Sequence, residues 1–232
     1  ERLPVNISLT YNSNKTEAPH TFMGKGTQTN FHLYVATNPY ITDSSSDNEK
    51  RFKYFYNDAD GTQHYFYFES ESATTGKDED GLGYTLEVLS GSSSDLSFVK
   101  YRITDKDKNT MEFNNNGHLI RIKTPVGNQI EVYYAIPEGT SVPRIEYIED
   151  GADRKYYFVY DSNNKLCGVS DPAGRVTTIE YSNNMLSKIG YSDGKTVLIN
   201  NDGENISEIS GVNSITKIYY DNISQKYVTH LQ

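Results

Sequence analysis

A motif of two apolar residues separated by two others recurs at intervals of about 20 residues through the second half of the chain. Its five clear copies are Leu119…Ile122, Ile145…Ile148, Leu166…Val169, Leu186…Ile189 and Ile206…Ile209, and a looser sixth is Val228…Leu231. A unit this short cannot bury an apolar face alone, so neighbouring units must stack to form a shared core. The repeat therefore predicts an array of similar stacked units.

Each copy follows a second apolar run, and a short polar segment joins the two. These segments are rich in Asn, Asp and Gly, which accept the positive φ angles of tight hairpin turns. They lie at residues 114–117, 161–164, 182–184 and 200–203. Each unit is therefore predicted to consist of a strand, a tight turn, a second strand and a loop. The first interval is longer because residues 135–143 form an insertion, whose two prolines predict a protruding loop.

The strand patterns predict the fold class. No segment has a sustained apolar period of 3.6 residues, so we expect almost no helix. The prediction is an all-β chain of antiparallel β-hairpin repeats that form a curved β-sheet strip. Polar and apolar residues nearly alternate at 176–181, which predicts one buried face, whereas the almost continuous apolar run at 155–160 predicts burial on both faces.

The first hundred residues lack the repeat and are expected to form a separate N-terminal β module. Alternating or apolar runs predict strands within residues 3–11, 24–35, 51–56, 64–68, 84–89 and 98–103. Serine-rich stretches at 43–47 and 90–95 are expected to be surface loops. We place the N-terminal β module at residues 1–98 and the repeat array, with five to six units, at 99–232.

Composition excludes several classes of protein. The 232 residues carry a net charge of −9, which disfavours nucleic acid as a partner. No stretch is apolar for long enough to span a membrane. Glu1 begins a segment without a signal peptide, so both termini are expected to be those of a trimmed fragment. The single Cys167 cannot form an internal disulfide, which fits a reducing compartment or a bacterial surface protein.

Catalytic candidates are few, and we expect no enzyme, no catalytic residues and no cofactor. The five histidines, at positions 20, 32, 64, 118 and 230, are scattered without a nucleophile motif. His118 follows a hairpin turn and is expected to be solvated. His64 alternates with Phe66 and Phe68 and is expected to pack at a strand end. Cys167 is expected to be a buried, inert thiol.

One stretch has part of the calcium-loop pattern. Residues 76–81 followed by Glu87 match an EF-hand loop at Asp78, Asp80, Gly81 and Glu87, but the first position is a glycine and no helices flank it. We therefore expect a turn into a strand here, and calcium binding by Asp78, Asp80 and Glu87 stays open. Residues 57–61 are expected to form a hairpin turn, with ion binding as the lesser alternative.

Tyrosine is unusually abundant, with 20 copies and no Trp. The aromatic runs lie at residues 54–56, 65–68, 133–134, 156–157 and 219–220. Such runs are typical of carbohydrate-binding surfaces, but they also form cross-strand pairs that stabilise a sheet. We favour cross-strand pairing because the aromatics recur with the repeat and do not cluster into one patch.

The repeats resemble those of the RHS/YD-repeat family. Residues 171–181 (DPAGRVTTIEY) are similar to its consensus, and residues 160–166 (YDSNNKL) to the Tyr-Asp element. Residues 193–197 and the pair Tyr220-Asp221 are further matches, as are the segments near residues 3–13, 24–26, 60–66 and 80–86, which resemble the region before the repeats in Gram-positive members. The chain departs from the pattern at Thr27, where the family has Trp, and at residues 151–154.

The resemblance implies a β-strip that winds into a shell. In this family such shells enclose a toxic C-terminal polypeptide, as in polymorphic toxins, or form scaffolds on the bacterial cell surface. It therefore implies a structural, secreted or surface-exposed module whose partners are the rest of its own chain and a C-terminal effector. The motif that closes the array in toxin-bearing members has no match here. The alternative is a carbohydrate- or cell-wall-binding module on the same β scaffold, with a surface glycan as partner.

Overall fold

The computed structural model of the chain describes residues 3–14, 22–42, 44–220 and, for the backbone alone, 228–231. The described residues form twenty β-strands and a single 3-10 turn at Glu49–Arg51. The strands before the repeats are β1 (Leu9–Tyr11), β2 (Thr27–Thr29), β3 (Tyr34–Thr37), β4 (Tyr54–Asn57), β5 (Gln63–Phe68), β6 (Thr75–Asp78), β7 (Thr85–Val88) and β8 (Tyr101–Thr104). Those of the repeats are β9 (Thr110–Phe113), β10 (Leu119–Lys123), β11 (Gln129–Ala135), β12 (Arg144–Asp150), β13 (Lys155–Tyr160), β14 (Leu166–Ser170), β15 (Val176–Ser182), β16 (Met185–Gly190), β17 (Thr196–Asn201), β18 (Ile206–Ser210), β19 (Ile215–Tyr220) and β20 (Val228–Leu231). The all-β prediction is confirmed.

The chain forms two compact units. The first contains Glu1–Ile7, Asn30–Tyr134 and Ile148–Arg154, and the second contains Ser8–Thr29, Ala135–Tyr147 and Lys155–Gln232. Each unit therefore combines segments that are far apart in the sequence. Strand β12 is divided between them. The domain boundary at residue 98 stays a prediction.

In the first unit, strands β3 to β11 pair antiparallel, each with the next along the chain. Alternate residues of each strand point to one face, so the fully buried side chains come from every second position. The pattern is clearest in β5, where His64, Phe66 and Phe68 are buried and the residues between them are not. The expected position of His64 on this strand is confirmed. Phe113, at the end of β9, is also fully buried.

In the second unit, β13 to β20 likewise pair antiparallel with their neighbours, and β1 pairs with β2. The pairs Gly168↔Thr178 and Lys188↔Leu198 show successive hairpins joined edge to edge at the predicted repeat. The first apolar residue of each clear copy is buried in both units; these residues are Leu119, Ile145, Leu166, Leu186 and Ile206. The repeat thus supplies one buried side chain per hairpin.

Two strand predictions need correction. Residues 155–160 are not buried on both faces, because only Phe158 is buried while Tyr157 and Val159 are 46% and 40% exposed. Residues 176–181 follow the prediction, with Ile179 buried between exposed neighbours. The apolar run in β13 therefore lies on a sheet with one covered face, where tyrosine and valine also occupy the open one.

The second correction concerns the front of the chain. The strand predicted at 3–11 is limited to β1, and the run at 24–35 contains parts of two short strands, β2 and β3. Strand β6 was not predicted as a strand, because its sequence, Thr-Gly-Lys-Asp, has no β-branched or aromatic residue besides Thr75. Gly76 is required there, since a Cβ atom would lie 2.6 Å from the Phe68 ring. The serine-rich loops are confirmed at 90–95 and 44–47, while Asp43 lies outside the described residues. The insertion predicted at 135–143 is a loop from residue 136, because Ala135 ends β11.

Over the ranges given above, we find no helix with the length and apolar character needed to cross a membrane.

Candidate functional site at the ends of the hairpins

Eight of the described hairpin turns share one backbone geometry. In each five-residue turn the amide of the first residue donates to the carbonyl of the fifth, and the amide of the fourth donates to the carbonyl of the first. In the turn 161–165 these distances are 2.8 and 3.0 Å. The turns with this pattern are 58–62, 105–109, 114–118, 124–128, 150–154, 161–165, 171–175 and 191–195. Their fourth residues, Gly61, Lys108, Gly117, Gly127, Asp153, Asn164, Gly174 and Gly194, all have positive φ. Glycine and asparagine tolerate this region, which explains their place in the repeat.

The side chain of the first residue closes many of these turns. Asp161 Oδ1 accepts hydrogen bonds of 2.8 Å from the amides of Asn163 and Lys165. Asp150 and Asp171 form the same bonds and also accept one of 2.7 Å from the Nε of the arginine that ends the turn. Burial alone would raise the pKa of Asp150, but its bonds to Arg154 and the turn amides outweigh burial and lower it. The aspartate of the repeat is therefore a turn-forming residue.

A tyrosine at or near the end of three strands, β13, β15 and β19, reaches back to the preceding strand of the array. The hydroxyl of Tyr160 donates to the Ile145 carbonyl at 2.8 Å, and that of Tyr181 to the Leu166 carbonyl at 2.8 Å. Tyr220 donates to the Ile206 carbonyl at 2.7 Å. Burial raises the pKa of all three phenols, which stay neutral donors. Each acceptor is the first apolar residue of a repeat copy, so in these three cases the hydrogen bond joins one unit to the previous one.

The rings of Tyr160 and Tyr181 also contact the residue that precedes the copy. The Arg144 guanidinium lies 4.0 Å from the centroid of the Tyr160 ring, and the Lys165 ammonium 5.0 Å from that of Tyr181. These are cation–π distances. In the unit formed by β17 and β18, Asn201 stands where these other units have tyrosine. Its side-chain oxygen accepts a hydrogen bond from the Gly203 amide.

An N-terminal segment crosses three successive hairpin ends of the second unit. The Phe22 carbonyl accepts a hydrogen bond of 2.8 Å from the Leu166 amide. The Lys25 amide donates to the Asn184 carbonyl at 2.7 Å, and its ammonium lies 3.0 Å from Glu204. Tyr11, on β1, donates to Asn205 at 3.0 Å. These contacts are not predictable from the sequence, because residues 22–25 have no periodic pattern.

The first unit contains a related contact. The Val35 amide donates to the Gly117 carbonyl at 2.9 Å, and the Leu119 amide donates to the Leu33 carbonyl at 3.2 Å. Gly117 touches this segment so closely that a Cβ atom would lie 1.9 Å from the Val35 oxygen. Here too, a segment from before the repeats lies against a repeat turn.

A second cluster surrounds His64, which is buried at the start of β5. Its Nδ1 lies 2.7 Å from Asp80 Oδ2 and its Nε2 lies 2.9 Å from Asp58 Oδ2. Burial would lower the pKa of His64, but the two carboxylates outweigh it through hydrogen bonds and charge, and the pKa is raised. The cluster unites the stretches at 57–61 and 76–81, which from the sequence are separate ion-binding candidates. Both ring nitrogens face carboxylates, an arrangement that favours the protonated imidazole.

The remaining histidines and the cysteine also have defined places. His118 was expected to be solvated, and this is wrong, because it is only 5% exposed and stacks on Tyr134 with ring centroids 5.3 Å apart. His32 is buried. Cys167 is half-buried rather than buried, and its thiol donates to the Val159 carbonyl at 3.4 Å. His20 and the side chain of His230 lie outside the described residues.

The calcium-loop candidates contact different partners. Asp78 accepts hydrogen bonds from the amides of Leu82 and Tyr84 at 2.7 and 2.6 Å, Asp80 bonds to His64, and Glu87 lies 3.4 Å from Arg102. Within the part of the chain that the structure describes, no group of three His, Cys, Asp or Glu residues is arranged to hold a metal ion. The hairpin turn expected at 57–61 is present, with its hydrogen bonds at 58–62.

Several aromatic runs form cross-strand contacts. Phe55 and Tyr65 are register partners with ring centroids 5.7 Å apart, and Tyr56 and His64 are register partners at 6.0 Å. In the second unit, Tyr147 and Tyr157 lie 5.6 Å apart. The interpretation as sheet-stabilising pairs is confirmed for these residues.

Comparison with known proteins identifies no family for the chain. No family model matches it, and no curated protein matches it. Among solved structures it is similar to one titled "Crystal Structure of TcdB2-TccC3-TEV", with 14% sequence identity and a TM-score of 0.37. That similarity covers 82% of this chain and 11% of the other.

Proposed function

We propose that this chain is a structural segment of a longer, secreted or cell-surface bacterial protein of the RHS/YD-repeat type. Its hairpins would contribute to a β-shell that encloses or presents a C-terminal effector. In this proposal the segment itself performs no catalysis. Its partners are the further repeats of its own chain and the effector.

The observation that carries the proposal is the repeated bond between a tyrosine hydroxyl and a strand carbonyl. It occurs at Tyr160, Tyr181 and Tyr220, in each case about 15 residues after its acceptor. Such a bond joins each unit to the previous one and so favours growth of the array by addition of like units. It gives a structural role to the residue pair that carries the family resemblance, Tyr-Asp at 160–161.

The hydrogen bonds between the front of the chain and the repeats also support a scaffold role. Phe22, Lys25 and Tyr11 bond to three different hairpin ends of the second unit. A segment that crosses successive units opposes their separation, which is the mechanical requirement of a wall. The bonds of Phe22 to Leu166 and of the Lys25 amide to Asn184 join backbone groups, so these two depend on backbone geometry, whereas the Lys25 ammonium and the Tyr11 hydroxyl add side-chain bonds to the third hairpin end.

The test uses the complete protein encoded by the gene of the source organism. We expect the region after the repeats to resist a nonspecific protease in the intact protein and to be degraded rapidly when expressed alone. In the double variant Tyr160→Phe/Tyr181→Phe, the region after the repeats should survive the protease for a several-fold shorter time, because two of the hydrogen bonds between units are removed. The matched control is Tyr157→Phe/Tyr191→Phe, which alters two exposed rings.

The time course of digestion, followed by mass spectrometry, distinguishes the outcomes. If the region after the repeats is degraded equally fast with and without them, the enclosing role is wrong. This comparison needs only the wild-type protein and therefore holds even if a variant fails to fold.

A further inference from the structure

The first unit contains a cavity of about 280 Å³ that no part of the proposed scaffold role uses. It lies between β10, β11 and the serine-rich loop that precedes β8. The pairing of β10 with β11 extends to Arg121↔Glu131, and β11 continues beyond this pair. The loop is anchored beside it because the side-chain Nδ2 of Asn114 donates to the Leu96 carbonyl at 3.1 Å. The cavity is therefore formed by fixed backbone on each side.

One wall of the cavity belongs to a network of paired charges. The Nε of Arg121 donates to Glu131 at 2.7 Å, and its NH1 group donates to Glu112 at 2.7 Å. The Tyr133 hydroxyl donates to the second oxygen of Glu131 at 2.7 Å. Burial would raise the pKa of Glu131, but the bonds from Tyr133 and Arg121 outweigh it and lower the pKa. The carboxylate is thus ionised and held in one orientation.

The lining combines these planar charged groups with hydroxyl and aromatic groups. Asp95 and Ser97 reach the cavity from the loop, where Asp95 Oδ1 accepts the Ser97 amide and hydroxyl at 2.8 Å. Tyr133 and Tyr134 line it from β11. Both loop residues are exposed, so the cavity is open to solvent.

This chemistry discriminates between classes of ligand. Two carboxylates, Asp95 and Glu131, line the cavity with one guanidinium, Arg121, that is already paired twice, so an anion such as phosphate is repelled. An apolar ligand would remove water from charged groups without replacing their hydrogen bonds, which is costly. A neutral ring with several hydroxyls offers donors to the carboxylates and C–H surface to the tyrosines.

We propose that this cavity binds one ring of a neutral saccharide. Its volume is just below the roughly 300–1,000 Å³ of small-molecule sites, which fits a single ring and not a buried chain. Asp95 and Glu131 would accept from sugar hydroxyls, Ser97 would donate or accept, and Tyr134 would supply apolar surface. The proposal goes beyond the scaffold role and does not depend on it, because it concerns one site in the first unit.

The experiment is saturation-transfer NMR on the whole 232-residue chain. The probes are the methyl glycosides of glucose, galactose, mannose and N-acetylglucosamine at millimolar concentration. Sodium glucuronate and inorganic phosphate are the anionic comparators. We expect at least one neutral glycoside to bind with saturation and more tightly than either anion.

Three variants locate the site. Asp95→Asn and Glu131→Gln should each weaken binding at least fivefold, because each replaces a charged carboxylate acceptor with a neutral amide of nearly the same shape. The control Glu180→Gln removes an exposed carboxylate of the second unit, paired with Lys188 at 2.8 Å, and should leave binding unchanged. Because Glu131 also holds Arg121, circular dichroism and thermal melts accompany each variant, and Asp95→Asn, outside that network, keeps the test decisive.

The proposal is overturned if no neutral glycoside gives a saturable signal with the folded wild-type chain. It is also overturned if folded Asp95→Asn and Glu131→Gln proteins both bind as the wild type does, since binding would then occur elsewhere. Tighter binding of phosphate or glucuronate would replace the neutral saccharide with an anion as ligand and contradict it.

Discussion

Single glycines decide how closely the backbone of this protein can approach itself. Gly117 and Gly174 occupy the same position in two repeat turns, with φ of 82° and 77°. A Cβ atom on Gly174 would meet nothing within 4 Å, whereas one on Gly117 would lie 1.9 Å from the Val35 oxygen. The two positions therefore separate the conformational role of glycine from its steric one.

We predict that Gly117→Ala destabilises the protein far more than Gly174→Ala. The alanine at 174 should cost about 1–2 kcal/mol, because only the left-handed backbone is strained. The alanine at 117 should cost at least about 3 kcal/mol, because the Val35 strand must also move. Urea denaturation of both variants measures the difference. Equal losses would contradict the close approach.

The ionisation of His64 is expected to make the free energy of unfolding depend on pH. Its imidazole faces Asp58 and Asp80, and its ring also contacts those of Tyr56 and Tyr84. The folded-state pKa lies above the value near 6.5 of the unfolded chain. A raised pKa means that the protonated form stabilises the fold, fully below pH ~6.5, and that this stabilisation is lost as the pH rises through the folded-state pKa.

We therefore expect the free energy of unfolding to fall as the pH is raised above about 6.5, and His64→Gln to remove part of that fall. At pH 6 the substitution should cost about 1–3 kcal/mol, because it leaves two carboxylates without their charged partner. The difference between variant and wild type, measured by urea denaturation from pH 5.5 to 8.5, isolates His64 from the other histidines. A difference that is constant with pH would show that this histidine does not titrate there.

Residue environments were the least predictable feature. The turn sequence before His118 predicts a solvated side chain, yet the ring is buried on Tyr134, which lies 16 residues later and on another strand. The alternation of His64 with Phe66 and Phe68 did predict a buried position, because that pattern is local to one strand. The partners Asp58 and Asp80 come from two different turns, and nothing local links them.

At the level of elements, the tyrosine hydroxyl is the device that joins one hairpin to the previous one. Tyr181 lies near the end of β15, and its hydroxyl donates to the carbonyl of Leu166 at the start of β14. A neutral hydrogen bond of this kind contributes about 0.5–1.5 kcal/mol, and more is lost when a buried acceptor is left without its donor. The abundance of tyrosine in the chain follows in part from this recurring use.

We predict that Tyr181→Phe lowers the free energy of unfolding by about 1–2 kcal/mol. The matched control is Tyr191→Phe, whose ring is 46% exposed and which should change stability by less than about 0.5 kcal/mol. Urea denaturation measures both, and amide hydrogen exchange should locate the loss between β14 and β16. Identical behaviour of the two variants would refute the role of the hydroxyl.

The order of the strands could be predicted from the sequence, but which face of each strand is buried could not. Turn residues and apolar runs predict the hairpins of the repeats because both signals lie within a few residues of each other. The run at 155–160 predicts burial on both faces, yet Tyr157 and Val159 are largely exposed. What lies against each face depends on segments far away in the sequence, so a continuous apolar run does not determine it.

At the level of the whole molecule, segments from the front of the chain belong with the repeats. Ser8–Thr29 forms part of the second unit together with Lys155–Gln232. Gly24 lies at the centre of this association, since a Cβ atom there would be 2.6 Å from the Asn184 oxygen and 2.9 Å from the Tyr181 ring. This glycine has an ordinary φ, so its role is steric.

We predict that Gly24→Ala destabilises the second unit by about 1–3 kcal/mol, because the added methyl group overpacks a tight contact. Hydrogen exchange should become faster at the Lys25 amide, which donates to Asn184. The control is Gly151→Ala in the first unit, where the nearest atom would be at an ordinary 3.5 Å. If the two substitutions have the same effect on the second unit, the Gly24 contact is not a constraint.

The sequence by itself determined the all-β class, the hairpin period, the turn positions and the first buried residue of each repeat. These follow from signals within about 20 residues, namely apolar spacing and residues that accept positive φ. Only the tertiary structure decided which face of β13 is covered, which segments cross the hairpin ends and which carboxylates surround His64. Those features depend on contacts between residues up to 194 positions apart, as between Tyr11 and Asn205. No local pattern encodes such contacts, because they form only when chain closure brings distant backbone groups within bonding distance.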